Sequence, residues 1–220
     1  MIIKMAGADE AEILIYDGIG KDWWGDGVTA KQFVEDLRAL GNPRTLSVRI
    51  NSGGGDVFDG IAIHGALARH PARKVVHVDG IAASAASLIA MAGDEIRMGA
   101  GTFVMIHNPA TLAMGDSREM RRVADVLESV ANQMGEIYSA RTGQPSVTLR
   151  AWMDAETWMD PDQAVANGFA DGVDDETIKM AASLDLNRFR NVPSTLRVES
   201  KRSRPGPRLA AMQAKVAARK

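Results

Sequence analysis

Cysteine is absent from this chain of 220 residues. Without thiols there is no disulfide framework, no thiolate nucleophile and no cysteine-based metal site, which narrows nucleophilic catalysis to oxygen and suits a reducing compartment. The sequence also lacks an apolar stretch near the ~20 residues that a membrane-spanning helix needs, and its start, Met1-Ile2-Ile3-Lys4, lacks the apolar region of a signal peptide. We therefore expect a cytoplasmic protein.

Basic residues are unevenly distributed along the chain. Hydrophobic residues make up 45% and charged residues 25% of it, as in an ordinary globular protein with one sizeable core. Residues 183–220, however, carry ten Lys or Arg and only two acids. We predict a folded domain over residues 1–182 and a basic, disordered tail over residues 183–220. Nucleic acid or an acidic partner could contact this tail, although a merely solvated tail is the simpler interpretation.

Strand-like apolar runs alternate with helical patterns in the body of the chain. The runs are Glu12–Tyr16, Thr45–Ile50 and Lys74–Val78, and the helical patterns cover about residues 28–40, 57–69 and 85–92. This alternation predicts βαβ units with right-handed crossovers, and therefore an α/β fold.

A long helix with a narrow apolar seam is predicted in the second half of the chain. The seam recurs at steps of three and four, through Met120, Val123, Leu127, Val130, Met134 and Ile137. Gly143-Gln144-Pro145 should end the helix, because glycine permits a left-handed cap and proline cannot continue the hydrogen-bond ladder. A short helix is expected near Pro161–Asn167, and a strand-like turn at residues 168–173 closes the compact fold.

One serine and one histidine stand out as candidates for chemistry. Ser84 lies in Gly80-Ile81-Ala82-Ala83-Ser84-Ala85, after a strand-like run and among small residues that open a helix. Its hydroxyl should be exposed beside an amide that can bind an anion, and His107, in Met105-Ile106-His107-Asn108-Pro109, could take its proton. The glycine loop Asn51-Ser52-Gly53-Gly54-Gly55-Asp56 offers further unobstructed N–H groups, either as an oxyanion-binding loop or as a plain tight turn. This is the layout of a serine hydrolase.

Five segments together resemble ClpP, the proteolytic subunit of the Clp protease, over about residues 12–175. They are Ile50-Asn51-Ser52-Gly53-Gly54-Gly55, Gly80-x-Ala82-Ala83-Ser84, Met105-Ile106-His107-x-Pro109, Tyr138-x-x-Arg141-Thr142-Gly143-Gln144-Pro145 and Ala164-Val165-x-x-Gly168-x-x-Asp171. The details look closer to ClpP-like head maturation proteases of phages and prophages, because of the segment 23–30, which begins Trp23-Trp24, and of Glu156-Thr157-Trp158.

The resemblance implies a ClpP/crotonase-like superhelix of repeated ββα units with a protruding handle helix. It implies a serine endopeptidase with Ser84 as nucleophile and His107 as general base, and with the amides of Gly55 and Ala85 as the oxyanion hole. The third member of the triad stays open. The family carries an aspartate where this chain has Glu156, and two neighbouring acids could take its place. These are Asp154 and Asp160. A second serine, Ser87, lies one helical turn beyond Ser84 and is expected to pack or cap.

The same resemblance implies a homo-oligomer, either a heptameric ring or two rings joined through the handle helices. The expected substrates are peptides and proteins, such as phage scaffold and capsid proteins, and an ATP-driven unfoldase is an alternative partner. No cofactor is expected, and no metal either, because His64, His70 and His77 lack a second ligand at metal spacing.

Three alternative functions remain open from the sequence. The first is a housekeeping Clp degradation subunit. The second is a crotonase-like acyl-CoA enzyme, which would not need the pair of Ser84 and His107. The third is a catalytically silent assembly protein that keeps only the fold and the ring.

Overall fold

A computed structural model of the protein describes residues 1–7, 9–21, 25–174 and 186–196. Over these residues an eight-stranded sheet is covered by helices. The strands are β1 (Ile2–Met5), β2 (Glu10–Ile15), β3 (Thr45–Ser52), β4 (Arg73–Ala83), β5 (Glu95–Gly99), β6 (Phe103–Ile106), β7 (Thr157–Met159) and β8 (Gly172–Asp174). The helices are α1 (Ala30–Leu40), α2 (Val57–Arg69), α3 (Ala85–Ala90), α4 (Ser117–Thr142), α5 (Ser146–Asp154) and α6 (Pro161–Ala166).

The main path of the sheet runs β1-β2-β3-β4-β5-β8. All pairs from β2 to β8 are parallel, and β1 lies antiparallel at the edge. Helices α1, α2 and α3 connect successive parallel strands, which confirms the predicted βαβ units and the α/β class. Strands β3 and β4 begin with buried residues that alternate with half-buried or exposed ones, and both become fully buried at their carboxyl ends, where the site lies.

Strand β4 is long enough to pair with two strands on one side. Its middle, Val75–Val78, pairs with β5, whereas its end, Ile81–Ala83, pairs with β6, which in turn lies antiparallel to β7. The carboxyl ends of β4 and β6 therefore lie side by side, and the N–H of Ser84 donates to the carbonyl of Met105 at 2.9 Å. This pairing brings the residues that follow the two strands into one place.

Helix α4 ends where its sequence predicts, and its first turn is capped. Asp116 caps its first turn by accepting from the N–H groups of Arg118 and Glu119, and Gly143 ends it with a left-handed φ of 70°. The second half of the seam is packed, with Val130 and Met134 buried, whereas Met120 near the start is 36% exposed. The N-terminal part of the seam is therefore only partly buried, since Val123 and Leu127 are half-buried.

Residues 186–196 pack against the sheet, although they belong to the segment predicted as a disordered tail. Phe189, Val192 and Leu196 are buried in an apolar cluster with residues at the ends of β4 and β6. The rest of the predicted tail, residues 183–185 and 197–220, lies outside the described residues, as do Trp23 and Trp24.

None of the helices in the described ranges has the length and apolarity needed to cross a membrane.

Candidate active site

Ser84 occupies the turn between β4 and α3, with a positive φ of 55°. Such a conformation is costly for a residue with a side chain and persists only where the surroundings hold it. The glycine loop after β3 packs directly on this turn, since a Cβ on Gly54 would lie 2.4 Å from the carbonyl oxygen of Ala83 and 2.8 Å from Cβ of Ser84. Gly54, which also has a positive φ of 83°, is therefore a site residue that the sequence analysis did not single out.

His107 follows β6 immediately, and its Nε2 lies 2.8 Å from Oγ of Ser84. Burial lowers the pKa of this imidazole below its ordinary value of 6.5; the negative charge of Glu156 opposes that shift, and the positive charges of Arg188 and Arg190 add to it. The ring is therefore neutral near pH 7 and can accept the proton of the Ser84 hydroxyl.

Two N–H groups are the predicted donors of the oxyanion hole. That of Ala85 is the first in α3, directly after Ser84. Gly55 forms a bridge with Ile19, but the hydrogen bonds of this bridge use the carbonyl of Gly54 and the N–H of Asp56. The N–H of Gly55 is left out of that pairing, and both Gly55 and Ser84 line the same cavity.

Glu156 is buried, 4% exposed, and has a positive φ of 51°. Its Oε1 accepts from the main-chain N–H of Asn191 at 2.7 Å and from Nε1 of Trp158 at 3.4 Å. Burial alone would raise the pKa of this carboxyl, but main-chain donation from Asn191 and Arg190, with Trp158 and the charge of His107, lowers it. Glu156 is therefore an anion near His107, although no hydrogen bond joins the two side chains within the described structure.

The two alternative acids have other partners. Asp154 accepts from Nδ2 of Asn108 at 2.6 Å and pairs with Arg150, whereas Asp160 caps α6 by accepting from the N–H of Gln163. Of the three acids, Glu156 is the one whose charge acts on the pKa of His107. The structure thus favours Glu156 by position, and its role as the third member of the triad stays a prediction.

Ser87 is fully buried in α3, beneath the turn that carries Ser84. Its Oγ donates to the carbonyl of Ser84 at 2.6 Å and lies 2.8 Å from the hydroxyl of Tyr138 in α4. These contacts match the expected packing and capping role, because the hydroxyl is occupied and faces away from solvent.

A cavity of about 620 Å³ opens beside Ser84 and His107. Its walls are mainly apolar, with Val123, Val126, Leu127, Val130 and Met134 from α4 and with Phe58, Pro109 and Phe189 from other segments. Part of the α4 seam therefore lines this cavity. A space of this size and polarity can hold apolar side chains of a peptide next to the serine hydroxyl.

Arg188, Phe189 and Asn191 contact this site, although the sequence analysis placed them in the tail. A signal for them was present, since apolar residues recur through the otherwise polar segment as Leu186, Phe189, Val192 and Leu196. High local charge obscured that spacing.

No group of three or more His, Asp or Glu side chains with metal-binding geometry occurs in the part of the chain that the structure describes. His77 instead lies 3.4 Å from Asp174, and His70 contacts the carbonyl of Gly41. Independence from a metal stays a prediction.

The fold and the pair of Ser84 and His107 define a serine hydrolase of the α/β class. The family model described as Clp protease matches residues 8–177. The chain belongs to the Clp protease family, whose members are serine endopeptidases.

Individual relatives agree with this assignment. The ATP-dependent Clp protease proteolytic subunit of Pleurastrum terricola is 35% identical over 137 residues, covering 61% of this chain and 70% of that protein. The ATP-dependent Clp protease proteolytic subunit 1 of Prochlorococcus marinus is 29% identical over 185 residues, covering 79% and 94%. A solved structure of a ClpP1 variant from Listeria monocytogenes covers 75% of this chain and 91% of that chain, with a TM-score of 0.65 and 23% identity. The last comparison confirms the ClpP-like fold.

The names of the relatives also indicate which of the two predicted branches of the family is better supported. The two sequence relatives are named as ATP-dependent Clp protease proteolytic subunits, so they support the predicted alternative of a Clp degradation subunit better than the phage head maturation protease that the sequence details favoured.

Proposed function

We propose that this chain is the proteolytic subunit of a Clp-type protease, which cleaves peptide bonds through an acyl-enzyme on Ser84. The observation that carries the proposal is the 2.8 Å approach of His107 Nε2 to Ser84 Oγ beside an apolar cavity. Membership of a family of serine endopeptidases favours this function over a crotonase-like acyl-CoA enzyme, which would need no such pair.

The reaction follows from the positions of these groups. His107 takes the proton of Ser84 as Oγ attacks the scissile carbonyl, and the resulting oxyanion accepts hydrogen bonds from the N–H groups of Gly55 and Ala85. The imidazolium then gives its proton to the leaving amine, and water releases the acyl group by the reverse sequence. Glu156 stabilises the charged imidazole throughout. No cofactor takes part.

The same proposal includes a homo-oligomeric ring fed by an ATP-driven unfoldase, in a cytoplasmic location. Two observations support it: the names of the relatives, which are ATP-dependent subunits, and the seam in the N-terminal half of α4, which is only partly buried. A seam of this kind needs a partner, and a second copy of the chain would supply one.

A second candidate is a phage head maturation protease that cleaves scaffold and capsid proteins. It is favoured by the segment Glu156-Thr157-Trp158, in which Trp158 donates to the glutamate that the resemblance places at the family's aspartate position.

Degradation assays distinguish the two candidates. If the chain is a Clp-type proteolytic subunit, the purified full-length protein should hydrolyse unfolded casein without ATP. It should hydrolyse a folded tagged protein only when an unfoldase and ATP are added. Cleavage of an unassembled capsid scaffold, with no response to any unfoldase, would support the phage reading. An assembled oligomer that reacts with no fluorophosphonate and cleaves neither substrate would contradict both.

Changing Glu156 to glutamine should lower the peptidase kcat without abolishing it. Because the negative charge of Glu156 raises the pKa of His107, its removal should lower that pKa and move the acid limb of the pH profile to lower pH. We expect a loss of no more than ~10²-fold, compared with ~10⁴-fold where the carboxylate fixes the histidine tautomer through a direct hydrogen bond. The measurement is kcat against pH with a fluorogenic peptide.

The alternative acids provide matched controls for this experiment. Asp160→Asn should have little effect, since asparagine caps a helix as well as aspartate does. Asp154→Asn should act mainly on the contacts with Asn108 and Arg150. A larger loss in either variant than in Glu156→Gln would assign the acid to that residue instead.

A further inference from the structure

Residues 186–196, here called the C-terminal strap, lie beyond residues 8–177 that the family model matches. They nevertheless reach the centre of the site. The strap thus lies outside the residues that carry the family assignment, and its contacts need an explanation.

Apolar side chains hold the strap on the sheet. Phe189, Val192 and Leu196 are each less than one tenth exposed, and they pack on Ile81, Ala83 and Met105 at the ends of the two strands that carry Ser84 and His107. The strap therefore shares its packing surface with the strand ends that position the candidate nucleophile and base.

Polar contacts attach the strap to both sides of the site. The guanidinium of Arg188 donates to the carbonyl of Gly53 in the glycine loop. On the other side, Nδ2 of Asn191 donates to the carbonyl of Ala155, and the Asn191 N–H donates to Oε1 of Glu156, both at 2.7 Å. The strap thereby spans the site from the glycine loop to Glu156.

Phe189 contacts the imidazole itself. Its ring lies edge-on to that of His107, with centroids 5.7 Å apart at 74°, and edge-on to Trp158, at 5.5 Å and 82°. Such edge-to-face pairs restrict ring orientation. With Ser84 at Nε2 and Phe189 against its ring, the imidazole of His107 is held by contacts from two segments.

The strap does not fill the substrate cavity. Arg188 and Phe189 line the 620 Å³ space together with Ser84 and His107, and the space remains open. A segment that acted as an inhibitory plug would occupy this volume, whereas the strap forms one of its walls.

We propose that the C-terminal strap completes the active site in cis, with Phe189 as a positioning residue that fixes the His107 imidazole and walls the substrate cavity. The inference rests on the proposed function of Ser84 and His107 and deepens it. Asn191 has a related role, because its main-chain N–H holds the carboxylate of Glu156.

Phe189→Ala is the informative variant, and Val192→Ala is its matched control, because Val192 packs in the same cluster without forming the ring contact to His107. Phe189→Tyr keeps the aromatic ring and should keep the labelling rate of Ser84. The probe is the rate of fluorophosphonate labelling of Ser84, followed by mass spectrometry of the full-length protein at several pH values.

We expect Ser84 to be labelled about 10- to 100-fold more slowly in Phe189→Ala than in the unchanged chain, because a base displaced by about 1 Å loses rate on this scale. The charged groups that act on His107 are Glu156, Arg188 and Arg190, and all remain in this variant. Since burial is the largest cause of the lowered pKa of His107, uncovering the ring should move the midpoint of the labelling profile to higher pH.

A second readout separates failure of the inference from failure of the proposed function. Diethyl pyrocarbonate acylates neutral imidazoles, so its rate of reaction with His107 reports exposure and pKa without any turnover, with His70 as internal reference. Faster modification of His107 in Phe189→Ala, but not in Val192→Ala, supports the inference even where Ser84 takes no label and the proposed function fails. Equal behaviour of the two alanine variants, or faster labelling in Phe189→Ala, would overturn it.

Discussion

Replacement of Ser84 by alanine is expected to abolish fluorophosphonate labelling and to lower kcat/KM for peptide hydrolysis by about 10⁴- to 10⁶-fold. The reason is that Oγ of Ser84 is the atom that His107 Nε2 approaches at 2.8 Å and, in the proposed mechanism, the atom that attacks the scissile carbonyl. Without it no acyl-enzyme can form, and only binding and the oxyanion donors remain. Labelling followed by mass spectrometry, together with steady-state hydrolysis of a fluorogenic peptide, measures both effects.

Ser87→Ala is the matched control for this variant. It removes a serine three residues away whose Oγ is already committed to the carbonyl of Ser84 and the hydroxyl of Tyr138. Labelling of Ser84 should persist, whereas stability should fall by about 1–3 kcal/mol, because the buried Tyr138 hydroxyl loses its partner. The thermal midpoint at fixed chain concentration reports that loss. A label on Ser87, or unchanged hydrolysis in Ser84→Ala, would contradict the assignment of the nucleophile.

His107→Ala should reduce kcat/KM to nearly the same level as Ser84→Ala. Nucleophile and base act as a unit, so the double variant should be hardly slower than either single variant, rather than showing the product of two losses. Steady-state kinetics of the three variants test this non-additivity. His70→Ala, at the end of α2, is the control and should keep its activity. Multiplicative losses would indicate that the two residues act separately.

The pH dependence of the unchanged chain follows from the same residue. The imidazole accepts a proton only when it is neutral, so activity should fall as the pH decreases through the pKa of His107. Burial, as the largest cause, places that pKa below 6.5. The acid limb should therefore lie below pH 6.5 and disappear in His107→Ala, whose residual activity no longer depends on this group.

Much of the fold could be predicted because its signals are local. The apolar runs that became β2, β3 and β4 and the periodic segments that became α1, α2 and α4 follow from strand and helix periodicity. The end of α4 at Gly143 follows from the left-handed conformation that glycine adopts without cost. Helix α5 was not predicted, and its pattern was obscured by the neighbouring short elements.

Ser84 and His107 could also be selected from the sequence, since each follows a strand-like run and the family motifs frame them. The distance between the two side chains could not be predicted. It depends on the register by which the end of β4 pairs with β6 after its middle has paired with β5, and such long-range pairing leaves no local pattern.

The sequence by itself determined the α/β class, the candidate nucleophile and base, and the family. Only the tertiary structure showed that the charge of Glu156, rather than that of Asp154 or Asp160, raises the pKa of His107, and that residues 186–196 lie over the site. The physical reason is the same in both cases. Charge and spacing along the chain describe what a segment can do in water, whereas burial and hydrogen bonding between distant segments arise only when they pack together.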